Sequence, residues 1–130
     1  MWKLFQRDQA LRGVVKISAL DLSVLLKSLD SRLIVFDLRG RDDAEQYPYI
    51  IPGALLTTET ELLALIGWLP PSTPLVLYAM DRIPQSCFRL PPLRNDLSFY
   101  TLIGGLRAWW EADCEMDSVE HYAGGLRARD

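Results

Sequence analysis

The chain has 130 residues, 49% of them hydrophobic, with 14 Lys and Arg against 17 Asp and Glu, for a net charge of −3. That is one domain's worth of chain with enough apolar content for a core. The mild acidity and lack of a basic run exclude an electrostatic case for nucleic acid or anionic membrane, and short, charge-broken apolar runs exclude a transmembrane helix.

Residues 1–14 form an N-terminal arm with Trp2, Leu4, Phe5 and Leu11 among charges. The arm is either a short amphipathic helix or an extended segment across the core. Its first residues lack the apolar stretch of a signal peptide, so a cytoplasmic location is expected. Cys87 and Cys114 are then expected reduced, and two thiols with one histidine are too sparse for a structural zinc site. No metal and no cofactor is expected.

Ser18 followed by Asp21 reads as a helix start, with Leu22, Leu25, Leu26 and Leu29 as one apolar stripe behind it. Leu33 to Phe36 is a short buried strand ended by Asp37. Residues 39–49 are charged, then aromatic, and read as a short helix or a turn leading into a loop. Ile51-Pro52-Gly53-Ala54 is a tight turn back to the sheet. Thr58 and Glu61 make a capping box for a helix whose Leu62, Leu63, Leu65, Ile66 and Leu69 give it a broad apolar face, stopped by Pro70-Pro71.

Leu75 to Tyr78 is a continuous apolar run, suited to a strand buried on both faces. The loop that follows, Ala79-Met80-Asp81-Arg82-Ile83-Pro84-Gln85-Ser86, leads into a helix from about Pro84 to Leu90. Such a strand, loop and helix start forms an anion pocket, because loop amides converge on it and the helix dipole adds positive charge. Leu97 to Ile103 is a further strand. Gly104-Gly105 breaks it, and Leu106 to Trp110 opens a last helix. Beyond Asp113 the pattern fades into a loosely packed tail, 113–130.

This order of motifs resembles a rhodanese-like (rhodanese-homology) domain over residues 15–112. Phe36-Asp37-Leu38-Arg39 with Tyr47, Ile51-Pro52-Gly53-Ala54, and Gly104-Gly105-Leu106 with Trp109 are similar to that family's landmarks, in its order and near its spacing. The resemblance implies an α/β fold: a single domain with a five-stranded, mostly parallel sheet and helices on both faces. It implies a structural ion pair between Asp37 and Arg39, and an active site in the loop after the Leu75–Tyr78 strand. There the related enzymes seat a cysteine that becomes a persulfide and passes on its outer sulfur. This chain has Ala79 at that position, and a methyl group has no lone pair with which to attack.

The rest of the loop departs as well. An arginine common about five residues past the cysteine falls near Pro84 or Gln85, and Asp81 brings a negative charge where an anion would sit. Arg82 stands beside it as an offset. The reading is therefore a catalytically inactive domain acting as a binding or regulatory module, whose altered pocket, or the acidic-aromatic surface around Tyr47, Tyr49 and Trp110, meets a protein or a small anionic ligand. One alternative is a sulfurtransferase with a relocated nucleophile, Cys87, whose pKa the helix start would lower if it faces the pocket; otherwise it packs as a core residue. Another is a structural role with a homodimer contact around Trp68 or Trp2-Leu4-Phe5.

Overall fold

The structure, a computed structural model, describes residues 11–28 and 32–119. The expectations for Trp2, Leu4, Phe5 and Leu29, and for the end of the tail, lie outside those residues.

Five strands form one sheet: β1 (Val14–Ile17), β2 (Ile34–Asp37), β4 (Leu55–Leu56), β5 (Pro74–Tyr78) and β6 (Ser98–Leu102). Their order across the sheet is β1-β6-β5-β2-β4, and every neighbouring pair is parallel. Parallel neighbours require crossovers, and helices supply them. These are α1 (Ala19–Lys27), α2 (Arg41–Gln46), α3 (Glu59–Ile66), α4 (Ser86–Arg89) and α5 (Gly105–Glu111). A small antiparallel pair, β3 (Tyr49–Ile50) with β7 (Asp117–Ser118), stands apart from the main sheet.

The alternation of β5 divides the core. Val76 and Tyr78 face a cluster with Leu22 of α1 and Leu106 and Trp109 of α5. Leu75 and Leu77 face the opposite cluster, with Leu62 of α3 and Cys87 of α4. Residues 75–78 are all fully buried, as expected for a central strand covered on both sides.

Both helix starts read from the sequence are present. Ser18 Oγ accepts from the Asp21 amide at 3.1 Å, and Thr58 Oγ1 accepts from the Glu61 amide at 3.2 Å while donating to the Glu61 carboxylate at 3.0 Å. The apolar stripes are narrower than read. In α1 Leu22 is buried and Leu26 half-buried, but Leu25 is exposed; in α3 Leu62 and Ile66 are buried while Leu63 and Leu65 face outward. A short helix lying on a twisted sheet buries one row, and neighbouring leucines rotate out of reach. Leu69 lies past the end of α3, where the Arg94 guanidinium donates to the carbonyls of Ile66 and Leu69 and so satisfies the helix end.

Residues 113–119 correct the expectation of a loose tail. The Trp109 indole donates to the Glu115 carbonyl at 2.7 Å, β7 pairs with β3, and the Val119 amide donates to the Pro48 carbonyl at 3.0 Å. Main-chain pairing of a two-residue strand leaves no apolar periodicity to read.

Candidate functional site

The C-terminal ends of β2 and β5 lie side by side, with Asp37 opposite Tyr78 in the register. Ligand sites in parallel sheets form at this edge, outside the carboxyl ends of the strands.

The β2 side is polar and buried. Asp37 and Arg39 pair at 3.0 Å with both side chains withdrawn from solvent. The Arg39 amide and Nε both donate to the carboxylate, and the Tyr78 hydroxyl donates to Asp37 Oδ2 at 2.7 Å. The same hydroxyl accepts from the Ile51 amide at 3.4 Å. Arg39 Nη1 and Nη2 donate to the carbonyls of Tyr47 and Tyr49, each at 2.8 Å. A desolvated pair is tolerable only when its remaining hydrogen-bonding atoms are satisfied, and these are. Burial, reinforced by the Asp37 charge, raises the Tyr78 pKa well above the ordinary phenol value, so the hydroxyl stays a donor. The ion pair implied by the resemblance is thus in place. Tyr78, read only as an aromatic strand end, is its third member.

The β5 side is different. Ala79 follows the strand directly, and its side chain is half-buried. Met80 packs against the α1/α5 core and Ile83 against the α3/α4 core, so the loop puts an apolar side chain into each face of the molecule. Pro84 and Ser86 are buried, while Asp81, Arg82 and Gln85 are exposed. The α4 amides of Cys87 and Phe88 donate to the carbonyls of Pro84 and Gln85 at 3.0 and 2.9 Å. From the other side, the α5 amides of Leu106 and Arg107 donate to the carbonyls of Ala79 and Met80, at 3.0 and 2.9 Å.

That close approach explains Gly105. A Cβ there would stand 2.5 Å from the Ala79 oxygen and 2.7 Å from the Met80 oxygen, on a backbone with φ of +62°. Only glycine satisfies both conditions. The sequence signals a strand breaker at this point; its second role, seating α5 on the loop, appears only when the loop is folded beside it. The partner of Asp81 is likewise long-range: Arg107 Nε lies 3.6 Å from its carboxylate, whereas the sequence points to the adjacent Arg82.

Cys87 turns its side chain inward. It is fully buried in the α3/α4 core. Burial pushes its pKa from the ordinary 9.0 up to about 11, only partly opposed by a hydrogen bond with Thr101. The expectation that the helix start lowers its pKa fails, because α4 is a single turn and desolvation outweighs its dipole. Cys114 is half-buried, and both thiols are free. Among the described residues no group of three or more His, Cys, Asp or Glu could hold a metal ion, and no helix is long and apolar enough to cross a membrane.

No protein-family model matches the sequence, and no curated protein does either. Solved structures do. A Rhodopseudomonas palustris protein of unknown function, for which tyrosine phosphatase is named as a possibility, superposes with a TM-score of 0.64 at 21% identity, over 85% of this chain and 89% of its own. The rhodanese-like domain of an Anabaena protein does so with a TM-score of 0.64 at 20% identity, over 81% and 80%. A thiosulfate sulfurtransferase from Pseudomonas aeruginosa gives 0.61 at 20% identity, over 80% of this chain and 19% of its own. At such identities the likeness establishes the fold. That fold is rhodanese-like, a single small α/β domain.

Proposed function

We propose that this chain is a catalytically silent rhodanese-like domain serving, in a cytoplasmic setting, as a binding or regulatory module. The observation that carries the reading is Ala79, the first residue after β5. On the fold's resemblance, that is the seat of the thiolate in sulfurtransferases and of the related cysteine in phosphatases. Two features support it. The loop presents Asp81 where an anionic donor would sit, and Cys87 is fully buried, which pushes its pKa up to about 11 and disfavours the thiolate at neutral pH. The loop is then a surface for a protein or a small ligand.

A thiosulfate-to-cyanide assay tests the reading. Thiocyanate formation is expected at background for the wild type and also for Ala79→Cys, because Asp81 and the packed Met80 and Ile83 remain. Turnover abolished by Cys87→Ala would establish the relocated-nucleophile alternative instead. A homodimer is a second reading, supported by Leu63, Leu65 and Trp68 at the end of α3, the last of them 87% exposed. Sedimentation at micromolar concentration separates it from a monomeric module.

A further inference from the structure

Three aromatic rings meet on the outer surface beside the β3/β7 pair. Tyr47 is the middle ring. Its centroid lies 5.1 Å from that of Trp110, at an interplanar angle of 60°, and 5.9 Å from that of Tyr49, at 70°. Tyr49 is 50% and Trp110 52% exposed, so both flanking residues are open to solvent.

This cluster is held from beneath by a chain of hydrogen bonds. The buried Arg39 guanidinium grips the carbonyls of both tyrosines, and Asp37 fixes that guanidinium in turn. Tyr49 is also registered against Ser118 through β3 and β7. On the other side Trp109, next to Trp110, is locked by its indole bond to Glu115. Rings whose backbone is already immobilised lose little entropy when a ligand settles on them.

The charge around the rings is predominantly negative, with the exposed Arg41 as its one cation in these segments. Residues 41–49 and 110–118 hold seven carboxylates and one arginine, although the whole chain carries only −3. Asp42, Asp43 and Glu45 on α2 and Glu111 at the end of α5 are all exposed, and among the described residues none of them forms an ion pair. Arg107, one turn before Trp110, is committed to Asp81. The positive charge of Arg39 is buried and neutralised by its partner. Aromatic faces attract cations through their quadrupole when the charge stands within about 6 Å of a centroid, and unpaired carboxylates add long-range attraction.

We infer that this face docks a basic segment of a partner protein, with a lysine or arginine side chain on the Tyr47–Tyr49–Trp110 rings and neighbouring cations over the acidic rim. The inference rests on the reading of the chain as a binding module, and it names the partner's chemistry.

The test uses a fluorescein-labelled octapeptide alternating Arg and Gly, titrated with the full-length protein and read by anisotropy, beside the same peptide with Glu in place of Arg. The Arg peptide is expected to bind with a half-saturation point in the micromolar-to-low-millimolar range and to weaken at least fivefold when salt rises tenfold. The Glu peptide is expected not to bind. Trp110→Ala should weaken binding about tenfold or more, and the triple variant Asp43→Asn, Glu45→Gln, Glu111→Gln at least fivefold. Trp68→Ala, at an exposed ring just past the end of α3, should leave it unchanged. Equal binding by wild type and Trp110→Ala, an equal loss in Trp68→Ala, comparable binding of the Glu peptide, or no binding of the Arg peptide at 5 mM protein sites (about the upper limit of weak recognition) would each overturn the proposal. So would a dimer that Trp110→Ala dissociates in the absence of peptide, since a second copy would then be the occupant. A silent thiosulfate assay with no peptide binding rejects this inference alone, whereas thiosulfate turnover rejects the inactive-module reading on which it rests.

Discussion

Two segments at the same edge of the sheet, the turn after β2 and the loop after β5, have been built on opposite principles. The first keeps a charged pair out of water and surrounds it with donors and acceptors: Asp37, Arg39, Tyr78 and the carbonyls of Tyr47 and Tyr49. The second begins with a methyl group and is fastened by apolar side chains and main-chain bonds to α5. The difference teaches that the polar apparatus here organises backbone. Arg39 positions the two tyrosines, and the first side chain after β5 is the methyl group of Ala79.

The comparison breaks most sharply at Asp37. Asp37→Ala leaves the Arg39 guanidinium buried without its counter-charge, and the expected loss is about 3–5 kcal/mol in urea unfolding. The same variant should release Tyr47 and Tyr49, with large changes at their amides in a proton–nitrogen spectrum. A loss below about 1 kcal/mol would mean that water reaches the pair and that the turn is not organised around it.

Next in size is the junction on the loop side. Gly105→Ala places a Cβ against the Ala79 and Met80 oxygens on a left-handed backbone, and about 2–4 kcal/mol of stability should be lost. Gly53→Ala is a fair control. It shares the positive φ, +82°, but nothing lies within 4 Å of its Cβ, so only the backbone penalty of about 1 kcal/mol applies. Equal losses in the two variants would show that α5 is not seated on the loop.

Tyr78 joins the two segments. Tyr78→Phe removes the hydroxyl that donates to Asp37, and a hydrogen bond to a buried charge contributes about 1.5–3 kcal/mol. Melting of the variant compared with wild type measures it, and an unchanged melting temperature would remove Tyr78 from the network.

A separate test concerns pH. The native protein holds the Cys87 proton until about pH 11, whereas an exposed thiol releases it near 9.0. Between those values the unfolded chain binds fewer protons, so stability is intact below about pH 9 and falls as pH rises toward 11, by up to roughly 1.4 kcal/mol per pH unit. Urea midpoints measured across this range should show the decline in wild type and a shallower one in Cys87→Ala. The raised Tyr78 pKa keeps some of the slope at the alkaline end. Identical slopes would place Cys87 in contact with water.

Much of this was legible in the chain itself because it is written in local chemistry. The helix starts at Ser18 and Thr58 depend on residues three apart, and the buried strand before Ala79 on four consecutive apolar residues. Ala79 itself is a matter of composition, since no folding gives a methyl group nucleophilic character. What folding alone decided was every contact joining distant residues. Cys87 could face either the loop or the core until the sheet fixed the phase of α4. Arg107, and not Arg82, reaches Asp81 because α5 returns over the loop. The strand at 117–118 exists only because Tyr49 and Ile50 offer it a partner. Covalent sequence determines which atoms are present and which short-range hydrogen bonds close; the Tyr78–Asp37 bond, the Thr101–Leu77 bond and the β3/β7 pairing join residues 24 to 69 apart, and only the packed chain brings them together.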